Sequence, residues 1–414
     1  MSHLVEHDRR SFLRGAAATA AGIALGHTAR ASHSPLPGGD ADGRVLVLLQ
    51  LSGGNDGLAT IVPGSDELRR VRPRTLHDEG DLLPLDDDRG WNPHLDRIRA
   101  EYEEGRVAIV EGCGYPDPVR SHFRSYEVWH TGRRAGRASG DGWIGRLAAS
   151  TWSDSGSPDV VMHIGGDAPY SVHSSTFPPV TLGSPTGYRW FGDEESYAKG
   201  GAAIADYATR ATREPRHAGR DRALDLLRAT LDDARASSQR VRGASASYRT
   251  PVEYPRTRIA ASLRDVAALL ARDRRTRIFS VAHSSYDTHA SQRGTHDKRM
   301  RELDGALGSF LADLRRTGQS KRTVVLVFSE FGRRVAENGS GGHDHGKAGP
   351  MLLLGEAVRG GLHGAPPSLT ELDDGDLAYT TDFRSVYAAI VGGWFRADVD
   401  LVLGPEAPPA LELV

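Results

Sequence analysis

The sequence predicts an α/β fold built on a largely parallel central sheet, and three observations point to it. Arg44–Leu51, Thr323–Phe328 and Met351–Leu354 are apolar runs of strand length without polar alternation, as in strands buried on both faces. In the last third of the chain such runs alternate with long helical stretches, the pattern of strand–helix units. The residues with the most chemical potential, Asn55, Asp56, Ser121, Asp287, His289, Glu330 and His345, mostly lie in segments that follow strand ends, where open α/β sheets bind ligands.

The elements follow in order. Residues 1–31 read as an address: Asp8-Arg9-Arg10-Ser11-Phe12-Leu13-Arg14 is a twin-arginine signal, Gly15–Gly26 its apolar stretch and Ala29-Arg30-Ala31 its cleavage site. The apolar stretch falls short of the roughly 20 residues that span a bilayer, and no later segment is apolar enough to do so. The expectation is export of a folded protein by the Tat machinery, to the periplasm or beyond. Residues 32–43 are a Pro/Gly-rich linker, and 44–414 read as a single domain with a loop and helix insertion at about 165–256. Within it, Arg106–Glu111 and Asp159–Ile164 are further strands, and a helix is expected from Pro118 to His130, with Asp117 as its cap. Residues 165–200 read as irregular, Arg220–Val241 as an amphipathic helix and Gly243–Arg256 as a polar connector. Thr257–Arg272 is helical, with Ile259, Leu263, Val266 and Leu270 on one stripe. Then come a strand at Arg277–Ala282, a helix at Ser291–Thr317, the two C-terminal strands and a closing helix at Asp382–Phe395.

A net charge of −2 gives no electrostatic footprint for nucleic acid. The single cysteine, Cys113, rules out an intrachain disulfide, so stability must come from the core and any metal.

Gly341-Gly342-His343-Asp344-His345-Gly346 carries the strongest chemical signal, because imidazole and carboxylate among glycines suit a divalent cation. Asp287-Thr288-His289 offers a second pair after another strand. Glu330, two residues past a buried run, needs a partner: a cation, or Arg333 as an ion pair. Asn55-Asp56 can reach a metal from the tip of the first strand or simply form a turn. Arg120-Ser121-His122 lies at a helix start, where an anion is favoured; Ser121 is either a nucleophile or a cap, and Arg120 can clamp an oxyanion.

Taken in order, the twin-arginine start, Leu51-Ser52-Gly53-Gly54-Asn55-Asp56-Gly57, Arg120-Ser121-His122-Phe123, Asp287-Thr288-His289, Ser329-Glu330-Phe331-Gly332-Arg333, Asp344-His345-Gly346 and Asp382-Phe383-Arg384-Ser385-Val386-Tyr387 resemble the bacterial DUF1501 family. That family is similar to the alkaline phosphatase and sulfatase superfamily. The resemblance implies an alkaline-phosphatase-like three-layer sandwich and one or two divalent ions (Zn, Mn or Ca) at the strand C-termini. It matches Asp56 to the first-strand metal carboxylate, Asp287 with His289 to a metal-binding pair, His345 to the late histidine ligand and Ser121 to the nucleophile. The residue reading adds Glu330 and Asp344 as metal ligands, and Asn55, Arg120 and His122 at the substrate. The implied activity is hydrolysis of a phosphate or sulfate ester; the rival expectation is a catalytically degenerate binding or assembly module. Glu330-Phe331 stands where the superfamily carries Asp-His, and Cys113 lacks the Pro and Arg register of a sulfatase nucleophile.

Overall fold

Strand β1, Val45–Leu51, is buried along its whole length and lies at the centre of the molecule. Its side chains alternate between two cores: Val45, Val47, Leu49 and Leu51 face one, Leu46 and Leu48 the other. A strand walled on both sides this way must be apolar at every position, which explains the unbroken run in the sequence. The computed structural model describes residues 43–134, 140–153, 158–188 and 235–414. The chain divides into two units; Ala41–Tyr188 with Ser237–Val414 carries nearly all the described residues. The other, Met1–Asp40 with Arg189–Ala236, lies outside them except for its last two positions, as do the signal and nearly all of the linker.

After β1 come helix α1 (Asp96–Glu103), β2 (Val107–Gly114), α2 (His122–Thr131), α3 (Trp143–Trp152), β3 (Val161–Ile164) and β4 (Val180–Leu182). The chain continues with α4 (Arg258–Arg272), β5 (Ile278–His283), α5 (Gln292–Arg316), β6 (Thr323–Phe328), β7 (Gly349–Leu354), β8 (Gly361–His363), β9 (Thr381–Asp382) and α6 (Arg384–Ala388), which runs on as a π-helix over Ala389–Trp394. Among the described residues, nine strands form one sheet in the order β8-β2-β7-β6-β1-β5-β3-β4, with β9 also on β2. β1 pairs in parallel with β5 and β6, whereas β7 is antiparallel to both of its neighbours. No helix separates β6 from β7, and a parallel neighbour would need a crossover. α1, α4 and α5 pack on one face, and α2, α3, α6 and the π-helix on the other, giving three layers.

Three local expectations change. The helix expected from Pro118 begins at His122, with Ser121 as its N-cap, because Asp117 takes a left-handed conformation (φ 54°) and the chain turns before the helix starts. Residues 165–188 are not wholly irregular: β4 forms there and pairs with β3. The helix predicted over 220–241 falls mostly outside the described residues, and helix covers 235–247, so the connector starts later than Gly243.

The strand order positions the site. Because β5, β1 and β6 are adjacent and parallel, the segments that follow them emerge side by side at one rim. They carry Asn55-Asp56, Asp287-His289 and Glu330-His345. The segment after β2 adds Arg120–His122.

Candidate functional site

Four side chains from three of these segments meet around Asp287. His345 Nε2 lies 3.1 Å from Asp287 Oδ1 and 3.0 Å from His289 Nε2. His289 Nε2 is itself 3.0 Å from the same carboxylate oxygen, and His122 Nε2 is 3.6 Å from Oδ2. The other nitrogen of each ring is already held. His345 Nδ1 donates to the Arg120 carbonyl at 2.8 Å, an oxygen that can only accept, so the proton sits on Nδ1. His122 Nδ1 meets Glu330 Oε1 at 2.8 Å and His289 Nδ1 meets Asp344 Oδ1 at 3.1 Å. Burial pushes the Glu330 carboxyl up, but bonds from His122, the Gly53 N–H and Tyr126 bring it below the usual carboxylate range. Asp344 is likewise lowered, chiefly by His289. Both acids are therefore ionised, and each imidazole presents an Nε2 lone pair toward Asp287 when neutral.

This donor set can hold a cation. Two Nε2 acceptors and a carboxylate oxygen within about 3 Å of one another repel unless a proton or a metal lies between them. Tetrahedral zinc, with Zn–N of about 2.0–2.1 Å, separates its ligands by roughly 3.3 Å. Carboxylate and carbonyl partners at Nδ1 are the usual outer supports of metal-bound histidines. The Glu330 bond raises the His122 pKa above its ordinary value, with burial opposing it, and the same electron donation makes its Nε2 a better ligand. Phe331 packs on the rings of His122 and His345 at 4.8 and 4.6 Å and shields one side.

A second trio, His77, His94 and Asp297, has comparable spacing but the opposite chemistry. Arg293 donates to His77 Nδ1 at 3.2 Å, His77 Nε2 contacts Asp297 at 2.7 Å, and Arg301 donates to His94 Nε2 at 3.1 Å. Its lone pairs are already engaged, so it is a hydrogen-bonded network.

The expected site residues divide into two groups. Asp287, His289 and His345 converge. Glu330 and Asp344, expected as ligands, stand one step out and orient His122 and His289. His122, expected at the substrate, points its Nε2 inward. Asp56 is engaged elsewhere: both of its oxygens accept from Arg72 Nη1, at 2.7 and 3.0 Å, and Gln292 adds a third bond. Burial pushes its carboxyl up, yet Arg72 outweighs this and holds it well below the usual range. Asn55 is buried and bonded to Thr60 and His296, which leaves its amide no reach toward a substrate. The Arg120 guanidinium turns to Asp374 and Asp376 instead of clamping an anion at the centre. Ser121 makes no side-chain capping bond, and it sits between the Arg120 carbonyl bound by His345 and the centre's His122.

Sequence reasoning missed Arg72 and misassigned the partner of Arg333. Arg72 neutralises Asp56 across a fully buried pair. Arg333 donates to Asp287 Oδ1 at 2.8 Å and to the carbonyls of Gly53, Gly54, Tyr286 and His343, tying the loops together. The pairing with Asp287, not Glu330, could not be read from proximity in the chain.

Among solved structures, the chain is similar to a protein in the alkaline phosphatase superfamily from Vibrio parahaemolyticus, at 11% identity over 86% of this chain and 71% of that chain, with a TM-score of 0.33. It is also similar to the zinc complex of the C-terminal periplasmic domain of EcEptC from Escherichia coli (8% identity, 76% of this chain and 73% of that chain, TM-score 0.39). A third is the PsFucS1 sulfatase from Pseudoalteromonas sp. (12% identity, 86% and 69%, TM-score 0.33). None of the curated proteins compared with it matches in sequence. Residues 6–26 match the twin-arginine translocation signal sequence, so the protein is exported by the Tat machinery and is periplasmic or secreted. No helix among the described residues is long and apolar enough to cross a membrane. Residues 110–397, more than half of the chain, match the family model described as "Protein of unknown function (DUF1501)", and the chain belongs to that family.

Proposed function

We propose that this exported protein is a hydrolase of phosphate or sulfate esters that depends on one divalent cation held by His122, Asp287, His289 and His345. The observation that carries the reading is the convergence of three Nε2 atoms on Asp287, each imidazole fixed from behind by an acceptor at Nδ1. Three nitrogens and one oxygen favour zinc, place manganese second and disfavour calcium, which prefers oxygen. Such an ion supplies Lewis-acid stabilisation of charge on the ester oxygens.

The chain's own residues do the rest. Ser121 is the nucleophile; it stands at the N-cap position of a ten-residue helix, its hydroxyl not spent on capping, and the first N–H groups and dipole of that helix favour an anionic ester. Its hydroxyl attacks phosphorus or sulfur and gives its proton to solvent. The alcohol leaves with a proton from water, and water then hydrolyses the seryl ester. Arg333 keeps Asp287 ionised and aimed at the centre.

A second reading, an exported binding module, is favoured by one observation: Arg72 closes off Asp56, a carboxylate the superfamily pattern assigns to metal. Metal analysis of exported protein, followed by assay on aryl phosphates and sulfates with and without chelator, separates the two. The hydrolase reading expects one ion per chain and activity that is lost with chelator, restored by zinc or manganese and absent in Ser121→Ala. Metal-free, chelator-insensitive protein supports the module, and unchanged activity in Ser121→Ala removes the nucleophile.

A further inference from the structure

Apart from the histidine centre, a cavity of about 470 Å³ opens at the same rim of the sheet. It lies beside the late residues of β2, the first residues of antiparallel β7 and the turn after β1, and none of the centre's residues lines it. Its volume falls in the range of small-molecule sites, about 300–1,000 Å³. Leu58, Ile61, Ile109, Pro366, Pro367 and Leu369 make most of its wall apolar.

The polar part of the wall has a definite sign. Asp88, Arg89 and Glu111 line it. Arg89 is saturated by carboxylates: Nη1 donates to Glu111 Oε2 at 2.7 Å, and Nε and Nη2 reach Asp86 Oδ2 at 2.9 and 2.7 Å. Arg89 is thus spent on Asp86 and Glu111, and Asp88 adds a further carboxylate to the wall, which leaves excess negative charge. Glu111 is only 9% exposed. Its Oε2 is taken by Arg89, whereas Oε1 receives no donor among the described residues, and a carboxylate oxygen at a mostly apolar wall gains from an N–H donor.

We propose that this cavity binds a small molecule with an apolar body and a protonated amine, the body lying against the aliphatic and proline wall and the ammonium on Glu111 Oε1. The proposal does not depend on the metal reading, because the two sites share no side chain.

The test is titration calorimetry of the full exported protein, with and without chelator, using 3-phenylpropylamine, 3-phenylpropanol and 3-phenylpropionate. The amine should bind roughly tenfold tighter than the alcohol, as a charge-assisted hydrogen bond provides, and the acid weakest of the three. Chelator should change none of these affinities. Glu111→Gln should bring amine and alcohol to comparable affinity, and Leu369→Trp, a substitution in a partly exposed loop, should abolish binding of both. No binding, an acid that binds as well as the amine, or an unaltered amine affinity in either variant overturns the proposal. Should Glu111→Gln fail to fold, the ranking of the three ligands and the Leu369→Trp result decide it.

Discussion

Replacing Arg72 with Met tests whether Asp56 is a structural anion or a metal ligand. Both side chains are essentially unexposed, at 0% and 1%. Removing the guanidinium strands a buried charge, which costs about 3–5 kcal/mol. It also deprives the Val335 and Arg334 carbonyls of donors at 2.6 and 2.7 Å. An unfolding entropy of about 2.1 cal/mol/K per residue gives roughly 0.6 kcal/mol/K for about three hundred ordered residues, so the midpoint should drop by about 5–8 °C. Asp56→Asn combined with Arg72→Met should recover most of that loss. The sign with pH follows from the lowered Asp56 pKa: its stabilisation is complete above the unfolded carboxyl value of about 3.9 and fades in acid, and Arg72→Met should erase it. Calorimetric unfolding paired with elemental analysis reads both properties. Asp56→Asn should keep its bound metal, whereas Asp287→Asn should lose it. An unchanged midpoint in Arg72→Met, or metal loss in Asp56→Asn as complete as in Asp287→Asn, refutes the reasoning.

Three further outcomes are expected. Glu330→Gln should weaken metal binding about 10–100-fold by loosening His122, measured by competition with a chelating dye, and a change smaller than twofold would speak against that support. Gly342→Ala places a Cβ 2.3 Å from the His289 carbonyl carbon, so it should lower metal affinity while circular dichroism stays unchanged. Burial pushes the His130 pKa down to about 4. An unfolded histidine titrates near 6.5, so stability is complete above that pH and falls as pH drops toward about 4, by about 2 kcal/mol at pH 5. His130→Gln should flatten this part of the urea-unfolding pH profile, and an identical slope in the variant would contradict the neutral buried imidazole.

The legible part of the fold is the part written in local pattern. The unbroken run at Val45–Leu51 announced a strand covered on both faces, and the stripe Ile259, Leu263, Val266 and Leu270 announced α4. The sequence marked a strand at Met351–Leu354 after a glycine-rich loop, but its antiparallel direction was not read from it. Pro118 looked like a helix start, but a left-handed Asp117 delays the helix to His122, and no periodicity reveals that. The centre was half legible. Asp287, His289 and His345 could be named from composition and position, yet the roles of Asp56 and Arg120 depended on partners far away in the chain. Arg72 lies sixteen residues from Asp56 and Asp374 lies 254 from Arg120, and charge alone does not say which acid meets which arginine.

Arg333 has a consequence for engineering this protein. Its buried guanidinium fastens the carbonyls of Gly53, Gly54, Tyr286 and His343, so three excursions of the chain share a single clasp. Grafting one of those loops from a relative would unseat the other two, and a successful chimera must transplant all three together with the arginine that binds them.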